Sequence, residues 1–465
     1  MSNGPGVDGN GETIAAIATA PGRGAVAIVR VSGPAAREVA RRVFRSAGPL
    51  RSRVATRGTV VAPDGGTIDE GLALWFGRPR SYTGEDVLEL HVHGSPAVAR
   101  DTLLATLAAG ARLANPGEFT RRAYLAGKMD LSAAEAVAEV VAAEHRGAAR
   151  AAAANLSGGL ARAAERAYET LAETLAELAA GLDFPDEVEA PSRETLHRRV
   201  AGVREELGAL AATWERGRLV REGVSVAIVG PPNAGKSSLL NALLGSERAL
   251  VSEIAGTTRD TIEETLALDA RDGKGLGFVA RLIDTAGIRE HADRLEAAGI
   301  ARTERALAEA RIALVVIDAS RPLGDDARDL LARTRQRERI LFFNKADLGR
   351  AGYDARPEAE RAALLGSAAD PASAAAIRRA LVALVDGGST VDLERPHLAT
   401  ARQADAVCEA CRSLDAALAT LAEEAPVDLL AGDLLAASAA LGELTGRDAG
   451  EALLDRIFAR FCIGK

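Results

Sequence analysis

Cysteine and aromatic side chains are both scarce in this 465-residue chain, and each scarcity removes a class of function. Only Cys408, Cys411 and Cys462 occur, too few and too unevenly placed for a disulfide framework. A reducing compartment follows, with the cytoplasm as the expected location. Aromatics amount to 3%, which argues against a row of base-stacking rings as the main binding device. Excess positive charge is also missing: 57 Lys and Arg oppose 65 Asp and Glu, a formal net charge of -8. A polybasic binder is excluded, and any nucleic acid must be held by local patches or through a partner. No uninterrupted apolar run reaches the roughly 18 to 20 residues of a membrane span, so no membrane partner is expected. The Gly-rich start, residues 1–12, has no basic stretch followed by an apolar one, and reads as a disordered terminus, not a signal peptide. What remains is Ala-rich globular material, 48% hydrophobic and 26% charged, long enough for about three domains.

The patterning changes along the chain. From Thr13 to about Asn115 short strand-like runs alternate with helical ones: Thr13 to Thr19, Ala25 to Val31, a helix near Ala35 to Phe44, then Leu72 to Phe76 and Val87 to His93. This predicts a small α+β domain. From Ser132 to about Gly181 a long uninterrupted helix is expected, and Ser192 caps a second one running to about Arg218. A continuous apolar strand, Val224 to Val229, then opens a βαβ region ending near Asp386. After Gly387-Gly388-Ser389 the chain is helical again, with Val407, Cys411, Leu414, Leu418 and Leu421 on one stripe. Helices before 218 and after 390 each carry an apolar stripe without a local partner, so they are expected to pack together around an inserted α/β unit. The expected divisions are 1–12, 13–128, 129–218, 219–386 and 387–465.

Directly after that strand stands Gly230-Pro231-Pro232-Asn233-Ala234-Gly235-Lys236-Ser237, followed by Ser238 and a helical run. The spacing is that of a P-loop, in which backbone N–H groups converge on phosphate oxygens, Lys236 neutralises the terminal phosphates and Ser237 offers a hydroxyl to Mg2+. Asp284-Thr285-Ala286-Gly287 ends the strand Phe278 to Ile283, 48 residues past Lys236, and places a carboxylate on the Mg2+ side. Sixty residues later comes Asn344-Lys345-Ala346-Asp347, whose carboxylate can accept two hydrogen bonds from the guanine edge that adenine cannot offer. Ser367-Ala368-Ala369, starting 23 residues on, suits a backbone contact to the guanine carbonyl. An ordinary surface loop explains any one of these, but not four in this order, and GTP is the expected ligand.

The position after Gly287, where many GTPases carry a water-orienting glutamine, holds Ile288. Hydrolysis must therefore use something else. Asn233 offers an amide oxygen near the phosphates, and the segment Ser252-Glu253-Ile254-Ala255-Gly256-Thr257-Thr258-Arg259-Asp260 offers hydroxyl and carbonyl oxygens. Such a neutral oxygen cluster suits a monovalent cation, although an asparagine in a loop is equally explained by a turn. Glu290 and Glu296 are both candidates for orienting water, with a solvated helix face as the alternative for each.

Pro21 to Gly24, Tyr82 to Asp86, Pro116 to Thr120, Gly127 to Leu131, Asn233 to Leu240, Gly256 to Asp260 and the terminal Phe461-Cys462-Ile463-Gly464-Lys465 together resemble the MnmE (TrmE) family of tRNA-modifying GTPases, essentially end to end. The resemblance implies a multidomain α/β protein: a Ras-like P-loop GTPase domain inserted in an all-α helical domain, preceded by an α+β folate-binding N-terminal domain. It implies a potassium-stimulated GTPase that forms a homodimer through that N-terminal domain and works with the partner MnmG. Together they install aminomethyl or carboxymethylaminomethyl groups at carbon 5 of the tRNA wobble uridine, using 5-formyl-tetrahydrofolate or a related one-carbon folate. By the same resemblance Asn233, Ser252, Ile254 and Thr257 form the K+ site, Ser237 and Thr258 ligate Mg2+, and Glu296 orients water. Ser252 stands where some relatives carry threonine, and Leu348 to Leu365 follows no family pattern. Asn-Ala-Gly-Lys-Ser-Ser-Leu and Gly-Thr-Thr-Arg-Asp also occur in ribosome-assembly GTPases of the Era/EngA type, the alternative reading; such a protein should append a basic RNA module instead.

Alternation in Val87 to His93 puts Leu88, Leu90 and Val92 on one face and Glu89, His91 and His93 on the other. Glu89 could pair bidentately with the amino-pyrimidine edge of a pterin. The resemblance places the folate site at Glu89 with Arg30, Lys128 and Lys465. Of the cysteines, Cys411 lies on an apolar stripe and reads as packing, whereas Cys462, beside Lys465, is the candidate for chemistry.

Overall fold

The computed structural model describes residues 11–143, 145–184, 186–187, 191–245, 263–268, 278–284, 304–357, 360, 362–386, 395–423, 426–447 and 449–465. Two compact units emerge: Met1–Ala142 with Ala152–Ala211 and Thr400–Lys465, and Ala143–Ala151 with Ala212–Ala399. The bulk of the second unit, Ala212–Ala399, is inserted between two parts of the first, and the short stretch Ala143–Ala151 joins it from upstream.

The N-terminal part of the first unit is a seven-stranded mixed sheet: β1 (Ile14–Ile17), β2 (Val26–Ser32), β3 (Phe44–Arg45), β4 (Thr56–Val61), β5 (Thr67–Phe76), β6 (Val87–His93) and β7 (Arg112–Leu113). Its strand order is β3-β4-β5-β6-β2-β1-β7. Burial in β6 alternates as its sequence predicts: Leu88, Leu90 and Val92 are buried, and Glu89, His91 and His93 face away from that core. The sequence reading missed β3, β4 and the two-residue β7. Thr56–Val61 is rich in Thr, Gly and Arg and lacks a clean apolar alternation; pairing with the long β5 is what makes it a strand.

A carboxylate knot closes this domain. Glu118 accepts from Arg112 Nη1 at 2.8 Å and Nη2 at 2.7 Å, from Arg122 Nη2 at 2.8 Å and from the Asn115 N–H at 2.8 Å. Burial pushes its pKa up, but the bonds from Arg112, Asn115 and Arg122 outweigh burial and bring it down to about 2. A depressed carboxylate stabilises the fold above its unfolded pKa and loses that contribution as pH falls through the folded one. Glu118→Gln should therefore cost about 2 kcal/mol at neutral pH once solvent screening is allowed for, and the gap to wild type should close between about pH 4.5 and pH 2. Urea unfolding of both proteins across that range checks it; a gap that stays constant contradicts it.

The rest of the first unit is helical. The helix Ala401–Ala422 packs against Val427–Thr445 and Arg193–Ala211, and Gly159–Asp183 lies against Val427–Thr445. Helices from both sides of the insertion thus share one apolar core. Leu171, Leu178, Val407, Leu414, Leu434 and Leu441 are buried in it, and Arg204 clamps Asp415 with bonds of 2.7 and 3.0 Å. The long helix expected from Ser132 to Gly181 is three: Leu131–Ala142, Arg146–Leu156 and Gly159–Asp183. One break falls at Ser157 and Gly158, where a Ser Oγ bonds the Ala154 carbonyl and a poor helix former follows. Similarly, the helix expected to reach Arg218 stops at Ala211, and a separate one covers Trp214–Glu222.

The second unit contains a six-stranded sheet: β8 (Val224–Val229), β9 (Glu263–Leu268), β10 (Phe278–Asp284), β11 (Ile312–Asp318), β12 (Arg339–Asn344) and β13 (Leu364–Leu365). The order is β13-β12-β11-β8-β10-β9, with only β9 antiparallel. Continuous apolar runs in β8 and β11 are buried on both faces, beneath the helices Lys236–Leu244 and Pro371–Asp386 on one side and Asp325–Thr334 on the other. Among the described residues no helix is long and apolar enough to cross a membrane.

Candidate nucleotide and folate sites

Parallel pairing decides where the polar residues meet. Ile228 of β8 is opposite Asp284 of β10, Val229 is opposite Val315 of β11, and Asp318 is opposite Asn344 of β12. The P-loop, Asp284, Asp318 and Asn344 therefore all stand at the C-terminal edge of one sheet, the edge where open α/β sheets take ligands.

Within that edge Asn344 is the staple. It is 2% exposed; its Nδ2 donates to the Ala234 carbonyl at 2.9 Å, and its Oδ1 accepts from the Ala368 N–H at 2.7 Å. One side chain so ties the phosphate loop to the Ser367-Ala368-Ala369 loop. A guanine carbonyl placed there would compete with Asn344 Oδ1 for the Ala368 N–H. Ser367 N–H goes to Ser373 Oγ, and Ser367 Oγ accepts from Ala369 N–H. Lys345 has φ +63° and reaches back to Asp318 Oδ2 at 2.8 Å. Burial raises the Asp318 pKa, but hydrogen bonds from Lys345 and Ser320 outweigh it and hold the carboxyl below its usual range. Ala346 N–H bonds the Gly366 carbonyl, which leaves Asp347 exposed at the tip.

In the P-loop itself, Gly235 has φ +93°, and a Cβ there would sit 2.2 Å from Asn344 Nδ2; only glycine admits the staple. Asn233 has φ +62°, a backbone that favours asparagine by itself, so its residue type serves the turn whatever its amide oxygen binds. Lys236 Nζ donates to the Gly230 and Pro231 carbonyls at 2.8 and 2.9 Å, which holds the ammonium over the loop. Ser237 and Ser238 are exposed in the first turn of the helix Lys236–Leu244, where N–H groups and the helix dipole favour an anion. Hydroxyl oxygen is the hard donor Mg2+ takes, so Ser237 fits that role. Ser252, Glu253, Ile254, Ala255, Gly256, Thr257, Thr258, Thr285, Ala286, Gly287 and Glu296 lie outside the described residues.

The first unit holds the other candidate site. Strand register sets Arg30 of β2 opposite Glu89 of β6, and Arg30 Nε donates to Glu89 Oε1 at 2.9 Å. His91 Nε2 lies 3.3 Å from Glu89 Oε2. The guanidinium sits 5.6 and 5.7 Å from the Tyr82 and Phe119 ring centres. Each Glu89 oxygen has two lone pairs and uses one, so a pterin edge can be accepted without breaking the ion pair. The C-terminal tail reaches the same place: Arg30 Nη1 donates to the Gly464 carbonyl at 3.4 Å, and Phe119 N–H to the Lys465 carbonyl at 3.2 Å. Gly464 has φ +101°, and a Cβ there would meet the Ile17 carbonyl at 2.4 Å, so the tail can lie on β1 only with glycine. Lys128 runs beside Gly84 and is exposed; no contact joins it to Arg30 or Glu89 among the described residues. Cys462 is exposed, while Cys411 is buried and its thiol is pushed up by burial.

Sequence reasoning missed Asp318, Tyr82, Phe119 and the Gly464 carbonyl. Asp318 had a signal: like Asp284 and Asn344, it ends an apolar strand. The others lie in the blocks that carry the family resemblance, but nothing in the sequence joined those blocks to Arg30, because their roles depend on the tail folding back.

The N-terminal residues 13–128 match the model described as the GTP-binding protein TrmE N-terminus, and 131–462 match the MnmE helical domain. The match over 13–128 lies wholly outside the GTPase motifs that a ribosome-assembly reading would explain. The tRNA modification GTPase MnmE of Symbiobacterium thermophilum is 45% identical over 463 positions, covering 98% of this chain and 99% of its own. That of Moorella thermoacetica is 43% identical with the same coverage. A solved structure of Aquifex aeolicus Era bound to GDP and AlF4- matches 41% of this chain and 66% of its own at 24% identity, but its TM-score of 0.26 gives the likeness no weight. With both family models and end-to-end relatives in agreement, the chain belongs to the MnmE family of tRNA modification GTPases.

Proposed function

We propose that this chain is a potassium-activated GTPase that, with MnmG and as a homodimer, installs aminomethyl or carboxymethylaminomethyl groups at carbon 5 of the tRNA wobble uridine, drawing on a one-carbon folate. The observation that carries the reading is the Asn344 staple between phosphate loop and base loop, in a chain that also presents the Arg30–Glu89 pair under its own C-terminal tail. In this reading 13–128 is the folate-binding and dimerisation domain, 129–218 and 387–465 the helical domain, and 219–386 the GTPase domain.

Lys236 and the P-loop N–H groups hold the phosphates, and Asp347 selects guanine. Ser237 and Thr258 would hold Mg2+; Asn233, Ser252, Ile254 and Thr257 would hold K+. When bound, the cations offset charge that develops on the transferred phosphoryl group. Glu296 orients the attacking water, the task Ile288 cannot do. Glu89 accepts the pterin edge while the Arg30 hydrogen bond keeps its carboxylate aimed. Cys462 carries the thiol assigned to the modification chemistry.

Two measurements test this. Purified protein should turn over GTP about 10- to 100-fold faster in K+ than in Na+; equal rates remove Asn233 as a ligand. Mass spectrometry of tRNA from a strain lacking the protein should show wobble uridine without its carbon-5 group, and an unchanged modification profile defeats the function.

A further inference from the structure

The overall charge of -8 is unevenly divided. Residues 13–128 carry 16 Lys and Arg against 9 Asp and Glu, so they are positive by 7 within an acidic chain. Several of these arginines are neutralised locally: Arg41 and Arg42 by Glu38, Arg57 by Glu70, Arg112 and Arg122 by Glu118. Of those that are not, five stand together. Arg37, Arg51, Arg53, Arg78 and Arg80 are all exposed, and among the described residues none has a carboxylate within ion-pair distance.

They are gathered by the backbone around the end of β5. Arg53 N–H donates to the Trp75 carbonyl at 2.8 Å, and Arg53 Nη2 to the Arg80 carbonyl at 2.9 Å, which joins the Arg51–Arg53 loop to the turn carrying Arg78 and Arg80. That turn is fixed by Arg80 N–H on the Gly77 carbonyl and by Arg78 N–H on Asp86 Oδ1 at 2.9 Å. Arg37 comes from the neighbouring helix Ala36–Val43 and lies 4.5 Å from the centre of the Trp75 ring. Asp86 accepts the Arg78 backbone N–H and makes no ion pair with these arginines among the described residues. Arg53 itself stands at φ +63°, a left-handed backbone that disfavours a non-glycine residue.

Five exposed guanidiniums repel one another, and although Arg37 stacks on Trp75 and Arg53 bonds the Arg80 carbonyl, the side chains of Arg51, Arg78 and Arg80 have no such contact among the described residues. Their forks suit phosphate oxygens, and a cluster of this kind on one face is the electrostatic footprint of a nucleic-acid backbone contact. We propose that Arg37, Arg51, Arg53, Arg78 and Arg80 form a phosphate-contacting surface for tRNA. This rests on the reading that the chain acts on tRNA, and it locates the patch that an acidic protein needs in order to hold one. With few aromatics available, the contact is to backbone and carries no sequence preference of its own.

The test uses the full chain and an unmodified tRNA transcript, with binding followed against salt. A triple variant, Arg51→Ala with Arg78→Ala and Arg80→Ala, leaves Arg53 in place because it holds the Arg80 carbonyl. Its log K against log salt slope should be shallower by about 2 to 3, roughly one per lost contact, and binding should weaken at least about tenfold at 0.15 M salt. The same three positions changed to Lys keep the point charges and should stay within about threefold of wild type. GTP turnover should be unchanged in both. A triple Ala variant that keeps the wild-type slope overturns the surface while leaving the tRNA reading intact. Dissociation of the dimer by light scattering overturns it in favour of an interface between copies. Wild-type protein that binds no tRNA defeats the reading itself, and the surface with it.

Discussion

Changing Asp347 to Asn should move nucleotide preference from GTP toward xanthosine triphosphate, with GTP selectivity falling by about a thousandfold. Asp347 is exposed at the tip of the loop that follows β12, and the residues before it are already committed: Asn344 to the P-loop and base loop, Lys345 to Asp318, Ala346 to the Gly366 carbonyl. A carboxylate offers only acceptors, which match the two N–H donors of guanine. An amide offers one donor and one acceptor, which match the ring N–H and the 2-carbonyl of xanthine. Because Asp347 anchors nothing else among the described residues, the exchange should leave folding intact and change only the choice of base. Turnover measured with GTP, ATP and xanthosine triphosphate checks it, and an unaltered GTP preference would place base recognition elsewhere.

Lys236→Ala should lower GTP hydrolysis by about a thousandfold, the scale seen when a preorganised group facing transition-state charge is removed. The ammonium is held over the loop by the Gly230 and Pro231 carbonyls, so little ordering is needed when phosphates arrive. Nucleotide binding should fall as well, because the same charge neutralises the ground-state phosphates. The P-loop should keep its shape in the variant, since Asn344 and the buried Ala234 hold it independently. Single-turnover hydrolysis with bound nucleotide measured separately distinguishes the two losses; hydrolysis within tenfold of wild type would show that Lys236 is not the phosphate-facing charge.

The inserted sheet was the most legible part of the fold. Continuous apolar runs such as Val224 to Val229 are expected to be buried on both faces, and the P-loop, Asp284 and Asn344 each follow one directly. The breaks in the long Ala-rich helices were not legible: alanine supports a helix anywhere, so its run reports nothing about where a neighbouring helix makes the chain turn. The strand Thr56–Val61 was hidden for the converse reason, since a Thr-, Gly- and Arg-bearing segment becomes a strand only once β5 offers its edge. Glu89 was a candidate from the alternation in β6 and Arg30 from the family resemblance, but register is what sets them opposite each other.

Taken alone, the sequence determined the order of the GTPase motifs, the strands that precede the P-loop, Asp284 and Asn344, the insertion between two helical halves and the family. These depend on local patterning and spacing, which one dimension contains. Tertiary structure alone decided that Asn344 joins two loops across 110 residues, that the Gly464 carbonyl steadies Arg30 across 434, and that arginines from a helix, a loop and a turn share one uncompensated face. Such contacts join residues far apart in the chain, and only packing brings them within hydrogen-bonding reach.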